Sequence, residues 1–243
     1  MIKKVYVRFI GIGIELLERF IFNRRLARSY KKSFKKNLYS NDKIYIVDVG
    51  ANRGQSTKFF SKVFSNHKIY CFEANPNIIK KLKDKTKNIN RKIFCVALGN
   101  ESKVTSFNIC ILDAISTLSN PNLKSSYNIF KSRILRTDVR KLYKKINVKM
   151  KLLDSYFQEN QIEAMDILKI DVEGFEYQVI VGSKLIISSL KPKVIQVEAH
   201  HSDQYQNYNP DIEILLNSYG YKLERKISHA FGEFLDLIFV PSQ

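Results

Sequence analysis

Residues 44–55 read Ile44-Tyr45-Ile46-Val47-Asp48-Val49-Gly50-Ala51-Asn52-Arg53-Gly54-Gln55. The continuous apolar run closed by a glycine is the signature of a strand buried on both faces. Gly50 permits a tight turn, and Gly54 lets the next helix approach closely. Helical spacing follows at 57–64, then a strand at 68–72, a helix at 77–87 and a strand at 92–97. A weakly alternating stretch at 104–109 suggests one short extra strand. After residue 150 the rhythm resumes with a strand at 167–170, a helix at 176–189, a strand at 194–197 and a helix at 212–219. Strands at 222–224 and 235–240 finish the chain. Strands separated by helices predict an α/β fold, a doubly wound and mostly parallel seven-stranded Rossmann-like sheet. The short link between the last two strands predicts an antiparallel hairpin at the sheet edge.

Two segments stand outside this pattern. Ile2, Val5, Phe9, Ile12, Leu16 and Phe20 recur at helical spacing, so residues 1–40 are expected to form a basic amphipathic extension ahead of a domain at 41–243. Apolar residues thin out after Arg24. Residues 110–150 form an insertion whose second half (Tyr127, Phe130, Ile134, Leu135, Val139, Leu142, Ile146) reads as helical and as a lid. The 243 residues carry 41 Lys and Arg against 23 Asp and Glu, a net charge of +18. Residues 1–40 hold 11 of the bases against two acids, residues 122–151 hold ten against Asp138, and the remainder is neutral. The basicity thus belongs to two segments, which argues against a general nucleic-acid surface. Three cysteines and no CxxC pair exclude a disulfide framework and a zinc site of ordinary spacing. No stretch near the N-terminus is long and apolar enough to span a membrane, and a secretory signal fits badly. The expected location is cytoplasmic, peripheral to the inner face of a membrane.

The spacing after Asp48 is GxxxG, whereas a dinucleotide turn needs GxGxxG. An acid before the turn repels a pyrophosphate and suits a ligand bearing an ammonium and a sulfonium. Nineteen residues after Gly54, the second strand ends in Cys71-Phe72-Glu73, where a carboxylate can accept from both hydroxyls of a ribose. A cationic nucleoside with a free ribose diol describes S-adenosylmethionine.

The turn at 47–55, Phe72-Glu73-Ala74-Asn75-Pro76, Ala97-Leu98-Gly99-Asn100 and Leu153-Asp154-Ser155-Tyr156-Phe157 resemble the FkbM-type methyltransferases. So does Asp166-Ile167-Leu168-Lys169-Ile170-Asp171-Val172-Glu173-Gly174-Phe175-Glu176. The resemblance covers about residues 43–240. It implies a class I methyltransferase fold and S-adenosylmethionine-dependent O-methylation of sugar or natural-product hydroxyls. It also implies cofactor contacts from Asp48, Gly50, Ala51, Asn52, Gly54, Glu73, Ala97 and Leu98.

Methyl transfer needs in-line positioning and, for a poor hydroxyl nucleophile, a base or a metal. Asp171 and Glu198 end the strands expected to neighbour each other, and Glu198 is followed by Ala199-His200-His201. Asp171 and Glu198 are the expected acceptor-binding or base pair, with His200 or His201 assisting. Glu173 and Glu176 sit where a helix start favours acids anyway. A divalent metal is compatible with these groups, and no spacing demands one. The chain lacks the Asn/Asp-Pro-Pro-aromatic motif of nucleobase amino methyltransferases. An RNA ribose methyltransferase and a non-catalytic cofactor-binding scaffold are the alternative functions. The basic segments point to an anionic or lipid-linked glycan acceptor and to peripheral membrane contact through the N-terminal helix.

Overall fold

A computed structural model describes residues 23–30, 34, 42–111, 115–200, 203–206, 209, 211–228 and 234–242. Most of the 1–40 extension, His201 and the side chain of His200 lie outside the described residues.

The first strand, β1 (Ile44–Val49), is the apolar run of the opening turn, and it pairs in parallel with β2 (His67–Phe72) and with β8 (Ile167–Ile170). β2 continues to β3 (Arg91–Phe94), and β8 to β9 (Val194–His200), also in parallel. β12 (Phe234–Pro241) is antiparallel to β9, and β11 (Tyr221–Ser228) is antiparallel to β12. The seven-stranded order is therefore β11-β12-β9-β8-β1-β2-β3, with β12 alone reversed. The hairpin expected at the edge is there, but its second strand lies inward. Leu237 and Phe239 on one face of β12 and Ile238 on the other are buried, whereas β11 is largely exposed.

Helices cover both faces. α1 (Gln55–Val63) and α2 (Ile79–Lys85) lie on the face of Ile44, Ile46, Ile69 and Ile167. α4 (Leu153–Glu159), α5 (Glu176–Val181), α6 (Lys184–Leu190) and α7 (Ile212–Ser218) cover the face of Val47, Val49, Leu168 and Ile170. The single helix expected over 176–189 is two, broken at Gly182-Ser183. Asp154 accepts from the backbone N–H groups of Leu185 and Ile186 and caps the second.

Residues 23–30 are helical, and Leu26, Tyr30 and Phe34 are buried in the first of these cores beside Phe60 and Phe64. The apolar face thus continues past Arg24 at four-residue spacing, contrary to the thinning expected there. The Tyr30 hydroxyl donates to Gln196 Oε1, and Gln196 Nε2 donates to Asp236 Oδ1 at 2.6 Å. This ties the segment to the sheet through a buried polar row.

The insertion is built differently from its expected form. The strand expected over 92–97 ends at Phe94; β4 (Ala97–Leu98) pairs instead with β7 (Tyr143–Lys151), which also pairs with β5 (Lys103–Cys110). Leu142 to Ile146 is therefore not helical. Lys145, Asn147 and Lys149 are exposed while Ile146, Val148 and Met150 pack on Ala97 and Phe107, a period of two. Between β5 and β7 lie β6 (Asn120–Pro121) and α3 (Ser126–Ile134), and β6 pairs with β10 (Tyr205–Gln206).

Candidate active site

The chain order reverses between β1 and β8, and in such sheets ligands bind beyond the strand ends at this point. A cavity partly open to solvent lies there. Gly50, Asn52, Glu73, Ala97, Leu98, Asp171 and Glu173 line it, with apolar walls from Phe72, Val96, Phe107 and Leu118. Gly50 has φ +77°, and a Cβ there would meet the carbonyl oxygen of Asp171 at 1.7 Å. The turn therefore lies flat against the end of β8, and only glycine fits.

Glu73 sits at the end of β2, buried, with each carboxylate oxygen accepting one backbone N–H: Asn52 at 2.8 Å and Asn75 at 2.7 Å. Burial pushes its carboxyl up to about 7, against the pull of those two amides. The amides fix the carboxylate and leave each oxygen a further lone pair for a hydroxyl. Asn75 Nδ2 is also buried and has no hydrogen-bond partner among the described residues. A ribose diol beside a flat apolar slot fits this donor and acceptor set.

Asp48 is not at the cavity wall. Fully buried, it accepts from Ser56 Oγ at 2.7 Å and Thr57 Oγ1 at 2.8 Å, and Lys169 Nζ lies 3.5 Å away. Its carboxylate is hydrogen-bonded to the start of α1 and faces Lys169. Ala51 is buried under the turn, and Gly54 packs against Thr86 and Leu82 of the next helix; neither lines the cavity.

Lys169 extends from β8 between Asp48 and Asp171, with Nζ 3.0 Å from Asp171 Oδ2. Burial alone would lower its pKa, but Asp171 and Asp48 hold it up and the ammonium stays charged. Asp171, Glu173 and Glu198 bring carboxylate oxygens within 4.8 Å of one another. Glu198 is raised well above the ordinary carboxylate range by burial, then by Asp171, Glu173 and Asp236, and it hydrogen-bonds Asp171. Asp171 faces Lys169 on one side and Glu198 on the other. This cluster is also spaced to hold a divalent cation. His200 ends β9 two residues beyond Glu198.

Glu173 was read from sequence as an acid at a helix start. It is instead held in the left-handed region at φ +59°, a costly conformation that marks functional turns. Tyr205 donates its hydroxyl to the Glu173 carboxylate and lays its ring on Gly174, where a Cβ would come within 2.4 Å of it. Thr117 Oγ1 and Ser119 Oγ donate to the carbonyls of Glu173 and Gly174. Glu176 is structural: its Oε1 accepts from the N–H groups of Val172 and Gly174. Cys71 is buried with its thiol pushed up to about 12 by burial and Asp48, so it offers no nucleophile, and Cys95 is exposed rather than inside a strand.

A family model described as the Methyltransferase FkbM domain matches residues 48–223. The chain belongs to the FkbM methyltransferase family. Its core is thus a methyltransferase domain that uses S-adenosylmethionine, and the Glu73 cavity has the chemistry such a cofactor needs. The 2-O-methyltransferase NoeI of Sinorhizobium fredii is 24% identical over 166 residues, covering 68% of this chain and 67% of that protein. A crystal structure of methyltransferase FkbM from Methylobacillus flagellatus superposes with a TM-score of 0.52 at 14% identity over 82% of this chain. The chain spans 44% of that protein's length. The magnesium protoporphyrin IX methyltransferase of Synechocystis aligns over 91% of this chain and 81% of its own, at 10% identity and a TM-score of 0.48.

Proposed function

We propose that this FkbM methyltransferase methylates a hydroxyl group of a saccharide, glycolipid or related natural product. The observation that carries this reading is the meeting of Asp171, Glu173 and Glu198 within 4.8 Å, the first two lining the cavity. A sugar hydroxyl needs a base and hydrogen-bond acceptors, and these groups supply both.

When bound, S-adenosylmethionine supplies an electrophilic methyl on a sulfonium. Glu73 and the backbone at Gly50 and Asn52 orient it, while Ala97 and Leu98 border the apolar slot. Asp171, paired with Lys169 at 3.0 Å, would receive the proton of the acceptor hydroxyl as its oxygen bonds to the methyl carbon. The bound cofactor would take up the electron pair of its carbon–sulfur bond on sulfur. Glu198, hydrogen-bonded to Asp171, fixes that carboxylate beside the acceptor. Glu173 binds a neighbouring hydroxyl, and His200 is kept as an assisting group from its place on β9. The same three carboxylates also suit a divalent cation that would lower the hydroxyl pKa; prolonged chelation separates the two routes.

The cations of 122–151 favour an anionic or lipid-linked acceptor, and those of 1–40 favour peripheral contact at the cytoplasmic face of a membrane. No helix among the described residues is long and apolar enough to cross one. Incubation with labelled cofactor and a panel of glycosides, lipid-linked sugars and short RNAs tests the reading. Label on a sugar hydroxyl, abolished by Asp171→Asn, supports it. Label on an RNA ribose, or on an amine or carbon, overturns it.

A further inference from the structure

α3 is amphipathic in the reverse sense. Its inner side is polar: Asn128, Lys131 and Ser132 are 1%, 7% and 8% exposed. Its outer side carries Phe130 and Ile134, which are 58% and 63% exposed. These lie one helical turn apart on one face. The inversion has a local cause. Tyr143 donates to Asn128 Oδ1 at 3.0 Å, Asn128 Nδ2 donates to the Asn122 carbonyl at 2.9 Å, and Lys131 Nζ stands 3.7 Å over the Tyr127 ring. Asn122 is bonded in turn to the backbone of Asp203 and Gln204, beside Tyr205. α3 thus lies over the acceptor half of the site with its polar groups committed downward.

Around Phe130 and Ile134 the exposed side chains are cationic. Lys124, Arg133 and Arg136 are exposed on α3 or its flanks, beside neutral Ser126 and with Asp138 paired to Arg140, and the segment 122–151 carries ten bases against Asp138. A second copy of this chain is a poor occupant, since a two-fold contact would press two such segments together. A nucleic acid would meet an aliphatic Ile134 that offers it no stacking face. An apolar centre ringed by cations matches an anionic lipid bilayer, with acyl chains at the centre and headgroup phosphates at the ring.

We infer that the outer face of α3, through Phe130 and Ile134 with Arg133 and Arg136, docks the enzyme on an anionic membrane surface. This contact does not depend on which hydroxyl is methylated. It sets the roof of the acceptor half against the lipid.

The chain contains no tryptophan, so full-length Phe130→Trp places the sole indole at the proposed contact without touching the core. With vesicles of phosphatidylcholine and phosphatidylglycerol, its emission should move to the blue and be quenched by brominated acyl chains. Phosphatidylcholine alone should change neither. The Phe130→Ser/Ile134→Ser pair should weaken sedimentation with the anionic vesicles by roughly tenfold or more while leaving S-adenosylhomocysteine binding unchanged. Sedimentation with an unchanged indole signal would assign the anchor to the N-terminal segment and overturn the inference. So would failure to bind vesicles, or an emission shift given by an RNA oligonucleotide and not by the vesicles.

Discussion

The two halves of the site are held together by different kinds of contact. On the cofactor side, partners are near in sequence: Glu73 takes amides from residues two and 21 positions away, and Asp48 takes hydroxyls from residues eight and nine away. On the acceptor side, Glu173 and Gly174 are held by Tyr205, Thr117 and Ser119, which are 32, 56 and 55 positions away. The first half is a turn that makes itself. The second is assembled by the insertion and by the 203–206 segment, so it can diverge with the acceptor while the cofactor half stays fixed.

If the halves are separable, breaking one should spare the other. The largest effect is expected from Asp171→Asn: methyl transfer should fall by about 10²–10⁴-fold, the usual contribution of a general base. S-adenosylhomocysteine affinity should hold within a few-fold in calorimetry, and a matching loss of both would erase the distinction. Next is Glu73→Gln, which removes charge-assisted hydrogen bonds to the ribose. Cofactor affinity should drop by roughly 10–100-fold, with turnover at saturating cofactor little changed. Tyr205→Phe frees Glu173 from its distant partner, so the acceptor KM should rise about tenfold with cofactor affinity intact. A cofactor defect in that variant would mean that the insertion also holds the first half. The smallest effect is expected from prolonged chelation, which should leave turnover unchanged if Asp171 is the base; loss restored by a divalent cation would move the chemistry to the metal route.

The same division explains what the sequence made legible. That Gly50, Asn52 and Glu73 line one cavity was legible from one turn and one strand end. The partners of Asp48 were only partly legible: Ser56 and Thr57 follow in the next turn, but Lys169 comes from the neighbouring strand β8. Glu173 was set aside because a helix start accounts for an acid, and a left-handed φ leaves little trace in sequence. Gly174 beside it was the available signal. The helical spacing that runs from Tyr127 to Ile146 overlaps the start of β7. The exposed lysines at 145 and 149, around buried Val148, show that pairing with β5 decides the period. Tyr30 was lost among cations, although Leu26, Tyr30 and Phe34 repeat every four residues and finish a core.

Protons give the cofactor half a pH dependence of its own. The Glu73 carboxyl is raised from 4.5 to about 7 in the folded protein, so its contribution favours the folded state below 4.5 and is lost as pH rises through 7. Ribose binding has the opposite preference, since the ionised carboxylate is the better acceptor. Calorimetric titration with S-adenosylhomocysteine at pH 6 and pH 8, for the wild type and for Glu73→Gln, therefore tests the assignment of the cofactor site most directly. The wild type should bind about tenfold more tightly at pH 8, and Glu73→Gln should bind weakly with no such gain. Equal affinity for the two proteins across both pH values would contradict a cofactor held by Glu73.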